Sequence, residues 1–303
     1  MLRPHGTRFR AAAAVCRARE IATASRRPGM SKRKELTVTN EIRLESWAQL
    51  QEVLFADSWD GQIGRFRSRL AFRGLSDSRY PLATTLMRLG GDYAELERHL
   101  LRNFKKYAHR SMVERDSVWH WLTLAQHHGL PTRLLDWTYS PYVALHFATA
   151  NIEQFDCDGV IWAVNYLLAH QHLPDRLRAK LDAEGANVFT TEMFSDSVAT
   201  LAELAALSDR KYVVFVEPSS IDDRIVNQFG MFSLMPDVRG RLDDWLADQP
   251  QLWQRLIIPR QLKWEVRDKL DQANITERVL FPGLDGLSSW LRRHYSPRQA
   301  DPQ

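Results

Sequence analysis

Residues suited to chemistry fall in three separated stretches of this chain. The first is Ala71-Phe72-Arg73-Gly74. An Arg followed by Gly at a strand end presents a forked cationic donor where backbone can approach a ligand. A surface Arg in an ordinary turn has the same pattern. The second stretch, AQHHGLPTRLLDWTYSPYVALHFATA, runs from Ala125 to Ala150. It holds His127 and His128, then Arg133, Asp136, Thr138 and Ser140. In a strand, side chains 133 and 135 face one way and 134 and 136 the other. Arg133 and Asp136 therefore each meet some other group. Asp136 suits an Arg or His partner, and Thr138 suits a hydrogen bond at the entrance of the next helix. Ser140-Pro141 opens that helix, whose first N–H groups favour an anion. A buried polar network that stiffens the core would use the same residues. The third stretch is IDDRIVNQFGMF, Ile221 to Phe232. A helical turn puts Arg224 and Gln228, four apart, on one face, and Gly230 then turns the chain into a strand. A plain helix end would read the same way.

Other chemistries lack their patterns. HWLTLAQHH is not the H-E-x-x-H of a metalloprotease, so no zinc or other metal is expected. There is no Walker A loop, no G-x-G-x-x-G and no G-x-S-x-G nucleophile elbow.

The elements that must position these residues read as follows. Trp47, Leu50, Val53 and Leu54 recur at helical spacing behind a Ser46 N-cap. RLAFRGLSD is a short strand into a turn. DYAELERHLLRNFKKYA is an amphipathic helix with Tyr93, Leu96, Leu100, Phe104 and Tyr107 on one face. SVWHWLTLAQHHG is a helix closed by Gly129, with Pro131 beyond it. RLLDW is a strand, and SPYVALHFATA a helix capped by Ser140 with Pro141 in its first turn. DGVIWAVNY and KYVVFVEP are buried strands. Leu167 to Asp209, between them, is polar and helical and reads as an insertion or lid. MFSLMP and the end of QLWQRLIIP are strands, and KWEVRDKLDQANI is a helix. ERVLFPGLDGLSSWLRRHY is expected to give a strand, a turn and a last short helix. The whole is one α+β domain over residues 37–295, a small, mostly antiparallel mixed sheet flanked by helices, with a flexible tail at 296–303.

The 303 residues are 44% apolar and 26% charged, ordinary globular usage. Residues 1–40 hold ten of the 41 Lys/Arg but two of the 37 Asp/Glu, which leaves the rest of the chain at a net charge of −4. A basic folded body that tracks nucleic acid is therefore not expected. Residues 1–36, rich in Arg and Ala, read as a disordered leader or as an over-extended start ahead of Met30. Two cysteines, Cys16 and Cys157, are too few for a disulfide framework, and no stretch is long and apolar enough to span a bilayer. A cytoplasmic location is the expectation.

Taken together and in order, the three stretches resemble the FRG domain family, named for a Phe-Arg-Gly motif. That motif is Phe72-Arg73-Gly74 here. Gln126 to Ala148 resembles the family's central signature, and Arg224, Gln228, Gly230 and Phe232 its later pattern. LFPGLDGLSSWL, Leu280 to Leu291, is similar to its C-terminal motif. Some features are also similar to ADP-ribosyltransferases: an aromatic-Arg-Gly strand end, a Ser/Thr-bearing strand running into a helix, and a third motif with Glu or Gln. The resemblance implies that Arg73 holds the phosphates or ribose of NAD, that Thr138 and Ser140 brace the nicotinamide side, and that Gln228 lies near the reacting ribose. No Glu stands plainly at the third-motif position; Glu217 is the nearest carboxylate. The catalytic candidates are thus Arg73, Gln228 and Glu217. The ligand-binding candidates are His127, Arg133, Asp136, Thr138, Ser140 and Arg224.

Two function classes follow. One is an NAD-using transferase, a toxin or anti-phage effector acting on a macromolecular acceptor. The other is a non-catalytic module that binds a ligand or partner. In either, several cations in a mildly acidic body favour a compact anionic ligand, a dinucleotide or phosphorylated small molecule, over an extended nucleic-acid groove. Trp137 and Tyr139 are available to stack on a ring.

Overall fold

Short apolar runs build the middle of the fold. The computed structural model describes residues 40–56, 58–108, 113, 115–219 and 223–298. The strands are β1 (Glu41–Arg43), β2 (Trp59–Asp60), β3 (Arg65–Phe66), β4 (Leu70–Leu75), β5 (Leu135–Thr138), β6 (Gly159–Asn165), β7 (Phe189–Thr190), β8 (Val214–Glu217), β9 (Gly230–Leu234) and β10 (Trp253–Ile258). Eight of them form one sheet in the order β1-β10-β6-β4-β5-β9-β8-β7, and β2 and β3 pair separately as a hairpin. The two edge pairings, β1 with β10 and β7 with β8, are parallel. Every interior pairing is antiparallel. The fold is thus a single α+β domain with a mixed, mostly antiparallel sheet.

The helices are α1 (Trp47–Phe55), α2 (Tyr93–Tyr107), α3 (Val118–His127), α4 (Pro141–Ala148), α5 (Tyr166–His170), α6 (Asp175–Glu184), α7 (Thr191–Ser197), α8 (Leu201–Ala206), α9 (Asp223–Asn227), α10 (Leu242–Ala247), α11 (Arg260–Gln272), α12 (Glu277–Leu280) and α13 (Leu284–His294). Among the described residues none is long and apolar enough to cross a membrane.

Side chains alternate across the sheet. On one face, Phe72, Ile161, Ala163, Leu256 and Ile258 pack under α1, α4 and α11. Further along that face, Val214, Val216, Phe232 and Leu234 pack under α2, α3 and α6 to α8. The opposite face carries Ala71, Leu75, Trp137, Val160, Trp162, Phe215 and Met231, covered by α5 and α10. Between the two helix groups, where α4 leaves the sheet uncovered, residues of β4 and β5 line a cleft.

Three local devices aim the chain at that opening. Ser140 caps α4 by accepting from the Val143 N–H at 3.3 Å, and Pro141 stands in its first turn. Gly129 ends α3 at φ 80°: its N–H reaches the Gln126 carbonyl at 3.0 Å, and that of Leu130 the Ala125 carbonyl at 2.9 Å. These are the two bonds of a Schellman stop. Gly74 lets α4 rest on β4, since a Cβ there would stand 1.8 Å from the Ala144 carbonyl oxygen and 2.8 Å from the Ala148 nitrogen.

Several expectations need correction. Residues 277–280 are not a strand but a single helical turn, α12, held because Arg293 bonds Glu277 at 2.6 and 2.7 Å and Asp271 at 2.7 and 2.8 Å. The segment from Leu167 to Asp209 is no lid. It places Leu177, Leu181, Phe189, Phe194, Val198 and Leu204 in the core and supplies edge strand β7. Residues 1–36 and 299–303 lie outside the described residues.

Candidate functional site

Strands β4 and β5 share one registered pair, Phe72 with Thr138. Past that pair the Asp136 carbonyl takes its hydrogen from a side chain: Arg73 Nη1 donates to it at 2.5 Å. The same nitrogen lies 3.6 Å from the Asp136 carboxylate. Burial pulls the Arg73 guanidinium below its ordinary pKa, the Asp136 charge opposes this, and nearby Arg88 adds to the lowering.

Asp136 is held from the other side by α3. Gln126 Nε2 donates to both carboxylate oxygens at 3.0 Å. The Thr132 hydroxyl donates to Gln126 Oε1 at 2.6 Å, which fixes the orientation of the amide. Thr132 in turn accepts from the Leu134 N–H at 3.1 Å, and its own N–H donates to Thr85 Oγ1 at 3.1 Å. The carboxylate is therefore fixed by a chain of donors, yet 57% of the Asp136 side chain is exposed.

The third wall comes from α9. The Thr138 hydroxyl donates to the Gln228 backbone carbonyl at 2.7 Å and accepts from the Ser140 N–H at 3.0 Å. Gln228 Nε2 donates to the Leu280 carbonyl at 2.8 Å, and Asn227 Nδ2 to that of Val279 at 2.9 Å. These amides tie α9 to α12, which explains why the C-terminal motif belongs to the same unit. Arg224 lies over the Phe281 ring at 4.9 Å and reaches the His127 carbonyl at 3.5 Å. The turn into β9 is made by Phe229 at φ 48°, not by Gly230.

These parts enclose a cleft of about 220 Å³. Arg73, Asp136, Thr138, Arg224 and Gln228 line it together with Gln126, Phe147 and the chain at Phe72, Gly74 and Trp137. Two wider depressions, about 510 and 590 Å³, lie elsewhere beside Arg176, Arg178, Arg210 and Lys211. They gather none of the motif residues except Arg133.

The remaining candidates, Trp137 apart, stand outside the lining. Arg133 is buried and forms a two-pronged pair with Glu97, with Nε to Oε1 at 2.7 Å, and a further bond to the Pro236 carbonyl at 2.9 Å. It joins α2 to the core rather than facing a ligand. Arg133 and Asp136 do meet different partners, but β5 begins only at Leu135, so strand alternation does not set Arg133. Ser140 is spent on capping α4. His127 contributes its carbonyl to Arg224, and its ring stands edge-on to His128. Glu217 accepts from the Tyr139 hydroxyl at 2.6 Å, and burial, with this bond adding to it, pushes the Tyr139 pKa up. Trp137 is 3% exposed and donates to Ser233 Oγ at 2.8 Å, so it belongs to the core.

Sequence reasoning missed Gln126 and Phe147. Gln126 could have been found: one turn of α3 before Gly129, it is the last side chain there with two amide ends to offer. Phe147 reads as one more apolar residue of α4.

Chemically, the cleft offers a largely buried guanidinium, a second cation, a clamped half-open carboxylate and one aromatic wall, Phe147. No curated protein and no solved structure matches the chain. A family model described as FRG domain matches residues 68–157. The match spans β4, α2, α3, β5 and α4 and stops short of α9, so Arg224 and Gln228 join this site by geometry. Residues 68–157, which supply Arg73, Gln126, Asp136 and Thr138 to the cleft, are an FRG domain.

Proposed function

We propose that the cleft takes the nicotinamide–ribose end of NAD and that the protein is an ADP-ribosyltransferase-like enzyme. One observation carries the reading: polar residues from three distant stretches meet in a single cleft of about 220 Å³. That space is below the roughly 300–1,000 Å³ of pockets that enclose whole drug-sized ligands. It suits one ring with its sugar, which leaves a pyrophosphate for the cation of Arg224 in the lining. Phe147, only partly buried, offers aromatic surface to the ring.

Asp136, rather than Glu217, is the carboxylate this reading uses. As the bond between nicotinamide nitrogen and ribose C1′ breaks, positive charge grows on the ribose. A carboxylate already oriented by Gln126 stabilises that charge without reorganisation. It is then placed to take the proton of the attacking acceptor. A toxin or anti-phage effector acting in the cytoplasm is the setting that goes with this chemistry.

A second reading, a ligand-binding module without turnover, is favoured by one observation. The Glu217 carboxylate and the Gln228 side-chain amide are both engaged inside the fold. Calorimetric titration of the full chain with NAD, followed by a nicotinamide-release assay with cell lysate as acceptor source, separates the two. The transferase reading expects saturable binding and release, with release lost in Asp136→Asn while binding stays within about tenfold. Binding without release selects the module, and no binding of NAD sinks both readings as regards this ligand.

A further inference from the structure

We infer that the β2–β3 hairpin is a surface by which the protein rests on an anionic lipid bilayer. The hairpin is a two-stranded sheet of its own, outside the eight-stranded one. Its register sets Trp59 opposite Phe66 and Asp60 opposite Arg65. The two rings meet edge to face at 5.0 Å. Trp59 is 57% exposed, Phe66 60%, and Ile63 at the turn 57%. Large apolar groups held that open on a short hairpin call for a partner.

Alternation puts the Trp59 and Phe66 rings on one face and Asp60 and Arg65 on the other. Arg67, just past β3, donates its N–H to the Ser58 carbonyl at 2.5 Å and Nη1 to the Phe66 carbonyl at 2.8 Å, and adds a second exposed cation beside Arg65. Asp60 is paired with Arg69 at 3.5 Å. Arg65 has no ion pair among the described residues. The hairpin is therefore amphipathic, aromatic on one side and cationic on the other.

That division selects the partner. A nucleic-acid strand needs rings and phosphate-binding cations along one track, and here they face apart. A protein interface needs about 800 Å² per partner, more than three side chains on a two-stranded hairpin supply. A bilayer takes both faces at once. Indole and phenyl rings settle at the headgroup boundary, and arginines on the far face extend to lipid phosphates. Each cation near an anionic surface strengthens the attachment.

The test is co-sedimentation of the full chain with vesicles of phosphatidylcholine alone and of phosphatidylcholine mixed with phosphatidylserine. Two double variants accompany it, Trp59→Ser with Phe66→Ser, and Arg65→Gln with Arg67→Gln. The hairpin stands outside the core, so thermal midpoints equal to that of the unaltered chain confirm intact folding. We expect binding to the mixed vesicles, weakened roughly tenfold or more by either double variant, with added salt weakening the unaltered chain in the same sense. Three results would overturn the inference: no binding to either vesicle, binding unchanged in both variants, or retention on a single-stranded oligonucleotide but not on vesicles.

Discussion

Arg73 stands in for a strand partner of Asp136: its guanidinium supplies the hydrogen bond that the Asp136 carbonyl would otherwise draw from β4. The motif arginine therefore holds the sheet together at the point where it opens. Arg73→Ala leaves the Asp136 carbonyl without its donor and the carboxylate without its neighbouring charge, at a cost of about 1–3 kcal/mol. Arg73→Lys restores the charge but not the fork, and we expect it to recover less than half of that loss. Urea midpoints of the three proteins check this, and a fully restored midpoint in Arg73→Lys would refute the argument.

Gly74, the next residue, answers to packing rather than to a ligand. Its missing Cβ is the space that the Ala144 carbonyl fills. Gly74→Ala must push α4 off the sheet, and we expect a loss of about 3 kcal/mol or more. Gly61→Ala is the control: its Cβ meets nothing nearer than 4.0 Å, and its midpoint should stay within about 0.5 kcal/mol.

Buried Glu97 and Arg133 form the ion pair that the sequence could not show, because the partners are 36 residues apart. Glu97→Gln strands a guanidinium in the core, at a cost of about 3–5 kcal/mol. Ligand affinity of the protein that still folds should not change, since neither side chain lines the cleft. A shift in affinity larger than the shift in folded fraction would return Arg133 to the site.

The sequence was most informative where one local rule was enough. The apolar run of β6 is buried along almost its whole length, so hydrophobicity alone finds it. Gly129 and Ser140 announce helix ends because a cap or a left-handed residue is a local requirement. The failures are tertiary. ERVL looks like a strand by its β-branched and apolar residues, yet the Arg293–Glu277 bond makes it a helical turn. Glu217 was the natural carboxylate until the fold set the Tyr139 hydroxyl against it. Asp136, already noticed, is set apart by Gln126 and Thr132, a relation no spacing rule encodes.

Acid sensitivity should come from two buried histidines. Burial lowers the pKa of His146 to about 3, with Arg267 adding to the effect, and that of His170 to about 4. His146 Nδ1 faces Arg267 Nη1 at 3.0 Å, and His170 Nε2 accepts from the Phe215 N–H at 2.9 Å. Both pKa values lie below the unfolded value of 6.5, so below pH 6.5 the unfolded chain binds more protons than the folded one. Stability is therefore whole above pH 6.5 and falls as pH drops toward 4 and then 3. The loss at pH 5 is about 2 kcal/mol for each histidine. Urea midpoints at pH 7 and pH 5 measure it, and His170→Asn should reduce the difference by about half. An equal drop in that variant would assign the acid sensitivity elsewhere.

Thr132 tests whether the Asp136 carboxylate needs to be aimed. It lines no part of the cleft, and its hydroxyl orients the Gln126 amide from behind. Thr132→Val removes that donor and leaves the amide free to flip, which would turn Oε1 toward the carboxylate in place of Nε2. We expect a stability loss of about 1–2 kcal/mol. In the transferase reading we also expect a fall in nicotinamide release of roughly tenfold or more with KM for NAD little changed, because aim and not binding is lost. Thr132→Ser keeps the hydroxyl and should restore release. A residue that only supported the fold would lower kcat and stability together in both variants. If Thr132→Val released nicotinamide at the full rate once corrected for its folded fraction, Asp136 would need no such positioning.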